Sequence, residues 1–277
     1  MISCPSIQNR GRIGNQFFLY SIGKILSIIH NTQFYVNPSK EFLNLFDQNR
    51  LTYKKTKPKD TNFYKYQEEN AFNFDINVFH HKNIELHGFF QNIDYYQEFQ
   101  QELQLEFIPN PKIIKNAQSY INIKTNNSPN NCCIHIRRKD YINLRHIYNF
   151  LDLSYYKNIL TKIDCDYIFV ITDDMNLVKS EFAHHPDLIS KYKIIFTEEL
   201  DYAHQFYIMY LSRLKVLSNS TYSWWAAFLS DRTYDSKVYV PFPWTINNRN
   251  INLYPKQWIK SPIKTSRYNW NLLFETK

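Results

Sequence analysis

Glycine is scarce in this chain, with four in 277 residues. Together with 22 tyrosines and 21 phenylalanines, this scarcity excludes a low-complexity or disordered polypeptide and predicts packed aromatic cores. So many aromatic rings also suit sugar-binding clefts, because a ring offers an apolar face and tyrosine adds a polar edge. A chain of this length can form one large domain or two modest ones.

Cysteine is also rare, and its spacing is irregular. The four cysteines are Cys4, Cys132, Cys133 and Cys165, which lack the paired spacing of a structural zinc site. Four cysteines in a chain of this length do not define a disulfide framework either. We therefore expect the protein to work in a reducing compartment.

Long apolar runs and long basic runs are missing as well. The most apolar early stretch, residues 17–29, is interrupted by Ser21, Lys24 and Ser27 and is too short to span a bilayer. We expect a cytoplasmic protein that is soluble or peripherally membrane-associated. The formal charge of +8 favours an anionic partner, and nucleic acid, acidic lipid and a sugar nucleotide all qualify on this ground. No nucleic-acid partner is expected, since no zinc finger, basic helix or ribonucleoprotein motif is readable.

The second half of the chain alternates predicted strands with predicted helices. Short apolar runs suited to buried strands occupy residues 131–136, 166–172, 193–196, 215–218 and 237–240. Between them, residues 154–163 and 202–214 have the apolar spacing of helices. This alternation predicts parallel βαβ units, in which ligands bind beyond the carboxyl ends of the strands.

The first half begins in the same way. Residues 2–7 and 33–36 are predicted strands, and between them lies a helix whose apolar residues repeat every 3.6 positions. The apolar face of that helix comprises Phe18, Ile22, Ile25, Leu26 and Ile29. Segment 124–131 is turn-rich and is the best linker candidate. We therefore predict two α/β domains, residues 1–128 and 129–277, with the last residues packing back on the first domain.

Two adjacent arginines follow the predicted strand 131–136. If the backbone is extended here, His135 and Arg137 point to one face of the strand and Arg138 points to the other. One guanidinium can hold a phosphate in a bidentate way, while the other pairs with Asp140 or braces the loop. The alternative is a surface ion-pair cluster. The buried strand before the arginines disfavours that alternative.

A second polar segment, residues 218–225, follows another predicted strand. Ser220 or Thr221 can cap the helix that starts there, and the N–H groups at a helix amino terminus attract anions. The alternative is a capped core helix in which Trp224 and Trp225 only pack. The position of this segment opposite the two arginines in the predicted strand order favours a phosphate site.

Asp173 and Asp174 follow the predicted strand 166–172. Such a pair can coordinate Mg²⁺ on a diphosphate, bind a nucleoside through hydrogen bonds, or cap the next helix. The nearby arginines favour the nucleoside interpretation, because they can neutralise a leaving group without a metal.

The loop before the first predicted helix contains Gly11 and Gly14. Glycine lets the backbone approach a ligand closely. The loop lacks the full Gly-x-Gly-x-x-Gly spacing and the Walker lysine, so by itself it is a weak signal.

Taken together, these segments resemble the α-1,2-fucosyltransferases of glycosyltransferase family eleven. The matching motifs are residues 11–16 with Phe18 and Tyr20, residues 88–91 with Tyr95 and Tyr96, residues 135–141, 172–174 and 219–225, and the Pro-x-x-Trp elements 241–244 and 255–258. The resemblance covers nearly the whole chain. It implies a GT-B-type fold, with two Rossmann-like α/β domains and a cleft between them. The second domain would bind GDP-fucose and the first would shape the acceptor site.

The resemblance also implies a galactoside 2-α-L-fucosyltransferase-like enzyme. L-Fucose would pass from GDP-fucose, with inversion, to a hydroxyl of a glycan acceptor, expected to be O2 of a terminal galactose. No metal or other cofactor is expected. The alternatives are a related glycosyltransferase that uses another GDP-sugar and an inactive homologue that binds a nucleotide or a glycan.

Residue roles follow from the place of each residue in these motifs. Three residues are expected to serve catalysis: Arg137 and Arg138 at the diphosphate, and Asp140 beside them as the candidate base. The residues expected to bind the donor are His135, Tyr141, Asp173, Asp174, Asn219, Ser220, Thr221, Ser223 and Trp224. Those expected to line the cleft on the acceptor side are Gly11, Arg12, Gly14, Asn15 and Gln16.

Overall fold

A computed structural model describes residues 1–9, 11–58, 62–144, 146–230, 236–246, 248 and 250–263. In the first half, strand β1 (Ile2–Cys4) precedes helix α1 (Ile13–Ile29), and β2 (Phe34–Val36) precedes α2 (Lys40–Asn44). Strands β3 (Tyr64–Gln67) and β4 (Ile84–His87) follow, and then helices α3 (Gln100–Glu106) and α4 (Pro111–Thr125). Short 3-10 helices lie at Ile7–Asn9, Ile76–His80, Ile93–Tyr95 and Gln97–Phe99.

The second half continues the alternation of strands and helices. Strand β5 (Asn131–Ile136), a 3-10 turn at Asp140–Ile142 and α5 (Leu153–Leu160) come first, followed by β6 (Tyr167–Thr172). Helices α6 (Met175–Ala183) and α7 (Pro186–Lys191) lead to β7 (Lys193–Phe196) and α8 (Tyr202–Leu211). The last elements are β8 (Leu214–Val216), α9 (Thr221–Leu229), β9 (Lys237–Phe242) and β10 (Ile259–Pro262).

The described strands form two parallel sheets. The first has the order β2-β1-β4-β3, and the second has the order β10-β9-β8-β5-β6-β7. Strand β5 lies inside the second sheet, where Ile134 pairs with Val170 on one side and with Val216 on the other. The predicted α/β class with parallel sheets is confirmed.

Strand β5 is buried along its whole length because helices cover both faces of its sheet. Cys132, Ile134 and Ile136 belong to one apolar cluster, together with residues of α5 and α6. Cys133 belongs to the other cluster, with residues of α8 and α9. Alternate side chains of this strand therefore pack into two separate cores. The side chains that follow the strand point alternately to the same two faces of the sheet.

The two halves are joined by aromatic packing between α1 and α9. Phe17 stacks on Trp225 with the ring centroids 5.1 Å apart, and Phe18 lies 4.9 Å from Trp224. All four side chains are fully buried. Burying an aromatic side chain stabilises a fold by about 1.5–3 kcal/mol, so this contact holds α1 firmly against α9.

Several predicted elements end earlier than the sequence suggests. The first strand stops at Cys4, since Pro5 has no N–H to donate to a sheet. Helix α8 ends at Leu211, because the backbone of Ser212 is extended and strand β8 begins at Leu214. Ile29, the last residue on the predicted apolar face of α1, is 44% exposed, since α1 ends there and the chain turns at Asn31, whose φ is 45°.

The first sheet uses strands from residues 2–87 and the second uses strands from residues 131–262. The proposed division at residues 128 and 129 stays a prediction. Residues 264–277, which were expected to pack back on the first domain, lie outside the described residues. No helix in the described segments combines the length and the apolar character that crossing a bilayer requires.

Candidate functional site

A cleft lies where the carboxyl ends of β5, β6 and β8 face the amino-terminal end of α1. It has two adjoining compartments of about 210 Å³ and about 250 Å³, and Arg137 borders both. The predicted residues that line the first compartment are Arg12, Gly14, His135, Arg137 and Asp173. Those that line the second are Gly11, Arg12, Gly14, Asn15, Arg137, Asp140, Tyr141, Asn219, Ser220 and Thr221.

Arg137 lies at the centre of the cleft, and its side chain is 12% exposed. Its Nη2 donates to Asp140, and its Nη1 lies 3.2 Å from the Oδ2 of Asp173. The guanidinium carbon also lies 5.3 Å from the centre of the Tyr141 ring. Two carboxylates and an aromatic face therefore fix the plane of a guanidinium that borders both compartments.

Asp140 connects residues from the two halves of the protein at the cleft. Besides Arg137, it forms an ion pair with Arg12 from the start of α1, with 3.5 Å between Nη2 of Arg12 and Oδ2 of Asp140. The Asp140 side chain is 36% exposed and that of Arg12 is 67% exposed. An incoming anion can therefore compete with Asp140 for both guanidinium groups.

His135 lines the first compartment from below. Its Nδ1 lies 2.9 Å from the Oγ of Ser218, and its carbonyl accepts a hydrogen bond from the hydroxyl of Tyr156. Burial, with the nearby charge of Arg137, lowers the pKa of His135 from 6.5 to about 3. The imidazole is therefore neutral at physiological pH and adds no charge to the cleft.

The amino terminus of α9 borders the second compartment. Ser220 is the N-cap residue, yet its side chain makes no capping hydrogen bond. The carbonyl of Asn219 accepts a hydrogen bond from Tyr141, and the Asn219 amide donates to the carbonyl of Asn149 at 3.1 Å. The first N–H groups of a helix have no partner within it and attract anions, so this terminus adds positive potential beside Arg137.

Gly14 explains how closely α1 approaches α9. A Cβ atom at this position would lie 2.3 Å from the Oγ1 of Thr221 and 2.5 Å from the backbone nitrogen of Tyr222. Asn15 joins the same contact, because its Oδ1 accepts hydrogen bonds from Thr221 and from Gln91, each at 3.1 Å. The two glycines of the loop differ: Gly11 has a φ of 95°, which favours glycine, whereas Gly14 is required for space.

Five of the predicted site residues do not line the cleft. Arg138 is fully buried on the opposite side of β5, where its Nε and Nη2 donate to the two carboxylate oxygens of Glu181 at 2.8 and 2.7 Å. This confirms the predicted alternation of the two arginines, and of these two only Arg137 borders the cleft. The expectation that Arg138 also contacts the diphosphate is therefore corrected, because its guanidinium donates to Glu181 and to backbone carbonyls within the protein.

The other four residues are held elsewhere by specific contacts. Asp174 caps α6 by accepting from the N–H of Leu177, as one of the alternatives predicted. Gln16 accepts from the backbone nitrogen of Ser39. Ser223 donates to the carbonyl of Ser220, and Trp224 donates to the carbonyl of Leu253 within the aromatic core. The core-packing alternative therefore describes Trp224 better than a place in the donor site.

Sequence reasoning missed several residues that line the cleft. Tyr202 and Gln205 reach the first compartment from α8, and Tyr222 borders both compartments from α9. Tyr148 and Trp244 line the second compartment. Trp244 could have been found, because it ends one of the Pro-x-x-Trp elements. The positions on α8 had no such signal.

Buried polar atoms that make no hydrogen bond are concentrated around this cleft. Within the described residues, eight buried side-chain nitrogen or oxygen atoms have no hydrogen-bond partner, and four belong to residues that line the cleft. These four are Nε of Arg137, Oδ1 of Asn219, Nε1 of Trp244 and Oδ2 of Asp173, the last of which forms the ion pair with Arg137 described above. Buried polar groups are normally paired, so such a concentration is typical of a site built for a polar ligand.

The architecture has clear counterparts among solved structures. POFUT1 in complex with GDP aligns with a TM-score of 0.54 and 12% identity, over 86% of this chain and 97% of that chain. POFUT1 in complex with GDP-fucose aligns with a TM-score of 0.52 and 12% identity, over 82% and 93% of the two chains. At such low identity this likeness bears on the fold alone. The fold is of the GT-B type, with the cleft between two parallel-sheet halves.

The sequence comparisons give the family. The family model for glycosyl transferase family 11 matches residues 5–261, so the chain belongs to that family. The O-antigen biosynthesis glycosyltransferase WbnK of Escherichia coli is 32% identical over 139 residues, 47% of this chain and 44% of the relative. The match thus spans less than half the length of that relative. An alpha-1,2-colitosyltransferase of Escherichia coli is 26% identical over 209 residues, 70% of this chain and 68% of the relative.

Proposed function

We propose that this protein transfers L-fucose from GDP-fucose, with inversion, to a hydroxyl of a glycan acceptor, namely O2 of a terminal galactose. One observation carries the proposal: Arg137 borders both compartments of the cleft beside the amino terminus of α9. A guanidinium fork next to a helix terminus suits a diphosphate. Membership of family 11 supports sugar transfer, and the POFUT1 complexes with GDP and GDP-fucose support a guanine nucleotide as the carrier.

In this mechanism the guanidinium of Arg137 stabilises the negative charge that develops on the departing GDP. Asp173 and the ring of Tyr141 hold this guanidinium in place, so little reorganisation is needed as the bond to fucose breaks. Removing one contact of this kind commonly raises the barrier by about 3–4 kcal/mol. Arg137→Lys keeps the charge but loses the planar fork, and we expect it to lower kcat about 100- to 1,000-fold.

Asp140 is our candidate for the base that removes the proton of the acceptor hydroxyl. Its carboxylate lies at the cleft between Arg137 and Arg12 and is partly exposed to solvent. When a diphosphate takes over these guanidinium groups, Asp140 is released towards the acceptor. The alternative role is to orient Arg137. Turnover of Asp140→Asn across a pH series separates the two, since retained turnover contradicts the base.

We propose that transfer needs no metal ion. Oδ1 of Asp173 accepts from the backbone nitrogen of Arg138 at 2.8 Å, whereas Asp174 caps α6, so the two carboxylates serve different partners. Arg137 and the α9 terminus supply the charge stabilisation that Mg²⁺ would otherwise give. Undiminished transfer in excess EDTA is expected, and strict dependence on Mg²⁺ or Mn²⁺ would contradict the proposal.

Colitose is a second candidate for the transferred sugar, because the colitosyltransferase of Escherichia coli matches 70% of this chain. Colitose differs from L-fucose by the absence of the 3-hydroxyl group. The deciding experiment measures GDP release from GDP-fucose and GDP-colitose with a panel of galactosides, followed by linkage analysis of the product. We expect GDP-fucose to be preferred and the product to be linked at O2.

The controls use variants of matched chemistry. Arg50→Lys changes an exposed arginine outside the cleft and should retain full activity. If GDP binds in calorimetry but neither donor reacts with any acceptor, the protein is an inactive nucleotide-binding homologue and the proposal fails. Equal rates for Arg137→Lys and the unmodified protein would refute the assignment of the diphosphate site.

A further inference from the structure

A second groove, separate from the cleft, lies along strand β3 at the edge of the first sheet. Its volume is about 640 Å³, larger than either compartment of the cleft. Tyr64 and Tyr66 contribute from β3, and the segment up to the 3-10 helix Ile76–His80 forms the opposite wall. Nothing in the proposed transfer reaction uses this groove, so its chemistry needs a separate explanation.

Aromatic rings line part of the groove. Tyr64 stacks on His81 with the ring centroids 3.9 Å apart, and Tyr64 is still 52% exposed. Phe74, which also borders the groove, is 39% exposed and packs against Tyr95. Such rings present flat apolar faces to solvent while their neighbours hold them in place. The C–H face of a sugar ring packs on surfaces of this kind.

Hydrogen-bonding groups surround these rings. The groove is bordered by the carboxylates of Glu69 and Asp75 and by the amides of Asn70, Asn73 and Asn77. Asp75 accepts from the hydroxyl of Tyr66 at 2.6 Å, a bond that lowers the pKa of the carboxyl group and keeps it ionised. Carboxylates and amides side by side can bind the paired hydroxyl groups of a sugar.

The lining also argues against other ligands. None of the described residues that border the groove is lysine or arginine, although the chain as a whole carries a formal charge of +8. A nucleotide or a phosphate would therefore meet carboxylates without a compensating cation. The described residues hold no cluster of three His, Cys, Asp or Glu side chains suited to a metal ion. A neutral polyhydroxyl compound fits the remaining chemistry.

The loop at residues 88–91 connects the groove to the cleft through hydrogen bonds. The carboxylate of Glu68, which borders the groove, accepts from the backbone nitrogens of Phe89 and Phe90 at 2.6 and 3.0 Å. The next residue, Gln91, donates to Asn15 in the cleft. Hydrogen bonds of Glu68 and Gln91 thus link the groove to the acceptor side of the cleft, where Asn15 lies.

We propose that this groove is a subsite for a neutral oligosaccharide, in which Tyr64 supplies the stacking face and Asp75 and Asn77 bind hydroxyl groups. The assignment of that oligosaccharide to the distal part of the acceptor glycan rests on the proposed function. Its contribution is to hold sugar units beyond the galactose that reacts. Longer acceptors then bind better than short ones, whereas the affinity for GDP is independent of the groove.

The first experiment measures binding without any donor. Saturation-transfer NMR with lacto-N-tetraose, a neutral tetrasaccharide, is compared for the unmodified protein, Tyr64→Ala and Asn77→Ala. Ile189→Ala is the control, because Ile189 is 51% exposed on α7 in the other half. We expect the saturation transfer to lacto-N-tetraose to be weaker in both groove variants than in the unmodified protein. The control should show the same transfer as the unmodified protein. Unchanged binding in both groove variants would overturn the proposal.

The second experiment compares acceptors of two lengths in the transfer reaction. We expect Tyr64→Ala to lower kcat/KM for lacto-N-tetraose about tenfold, as the loss of one stacking contact predicts, and to leave the value for lactose unchanged. Equal losses for both acceptors would overturn the subsite. If no sugar is transferred at all but binding of the tetrasaccharide still depends on Tyr64, the proposed function fails and the groove stands.

Discussion

Replacing Gly14 by alanine tests whether the close contact between α1 and α9 shapes the cleft. The new Cβ would lie 2.3 Å from the side-chain oxygen of Thr221, which can rotate away, but also 2.5 Å from the backbone nitrogen of Tyr222, which cannot. Ordinary contact needs about 3.5 Å, so the amino terminus of α9 must shift by about 1 Å. Forced overpacking of this kind costs about 1–3 kcal/mol of unfolding free energy.

The amino terminus of α9 and Arg137 both border the second compartment, so the same shift changes their relative position. A displacement of about 1 Å at a reacting centre can lower the rate on the order of 100-fold, so we expect kcat/KM of Gly14→Ala to fall by that factor. The assay is GDP release at low donor concentration, together with urea unfolding to measure stability.

Gly23→Ala is the matched control on the same helix. Its Cβ would meet the Phe34 ring at 2.4 Å and the sulfur of Cys4 at 2.8 Å, inside the core of the first sheet and away from the cleft. It should lose stability but keep its turnover per folded molecule. The reasoning is refuted if Gly14→Ala retains both the stability and the kcat/KM of the unmodified protein, or if the two alanine variants lose activity equally.

Two further predictions concern buried charge. Arg138→Met should cost about 3–5 kcal/mol of stability in urea unfolding, because it leaves Glu181 without its cation, and adding Glu181→Leu should restore most of the loss; an unchanged unfolding midpoint in the single variant would contradict this. The pKa of His135 is lowered to about 3 in the folded protein, so below its usual value of 6.5 the unfolded chain takes up the proton first. The free energy of unfolding is therefore not reduced by this group above pH 6.5. It falls by about 1.4 kcal/mol per pH unit as the pH decreases from 6.5 towards 3. His135→Gln should remove that component of the slope, and parallel pH profiles for the two proteins would disprove the assignment.

Parts of the fold were predictable because their signal is local. Strands β5 and β7 lie at the predicted residues, since short apolar runs in an alternating βα chain suit a parallel sheet. Strands β3 and β10 were missed because they are edge strands with mostly exposed side chains. Such strands are defined by pairing with β4 and β9, and no pattern in their own residues shows it.

The candidate site was predictable where a residue follows directly from a strand end. Arg137 and Asp173 lie in the cleft because β5 and β6 end side by side. The alternation rule separated Arg137 from Arg138, but only the position of Glu181 on α6 shows which arginine is used inside the protein. Gln205 reaches the cleft through the packing of α8, which no neighbouring residue in the sequence indicates.

The aromatic contact between α1 and α9 has a consequence for how the protein loses its structure. Phe17 and Trp225 share one apolar cluster although they are separated by most of the chain. Neither half can melt without exposing these rings, so heat or urea should unfold both halves in a single cooperative transition. A fragment comprising residues 1–128 alone would expose Phe17 and Phe18 to water, and such a surface promotes aggregation.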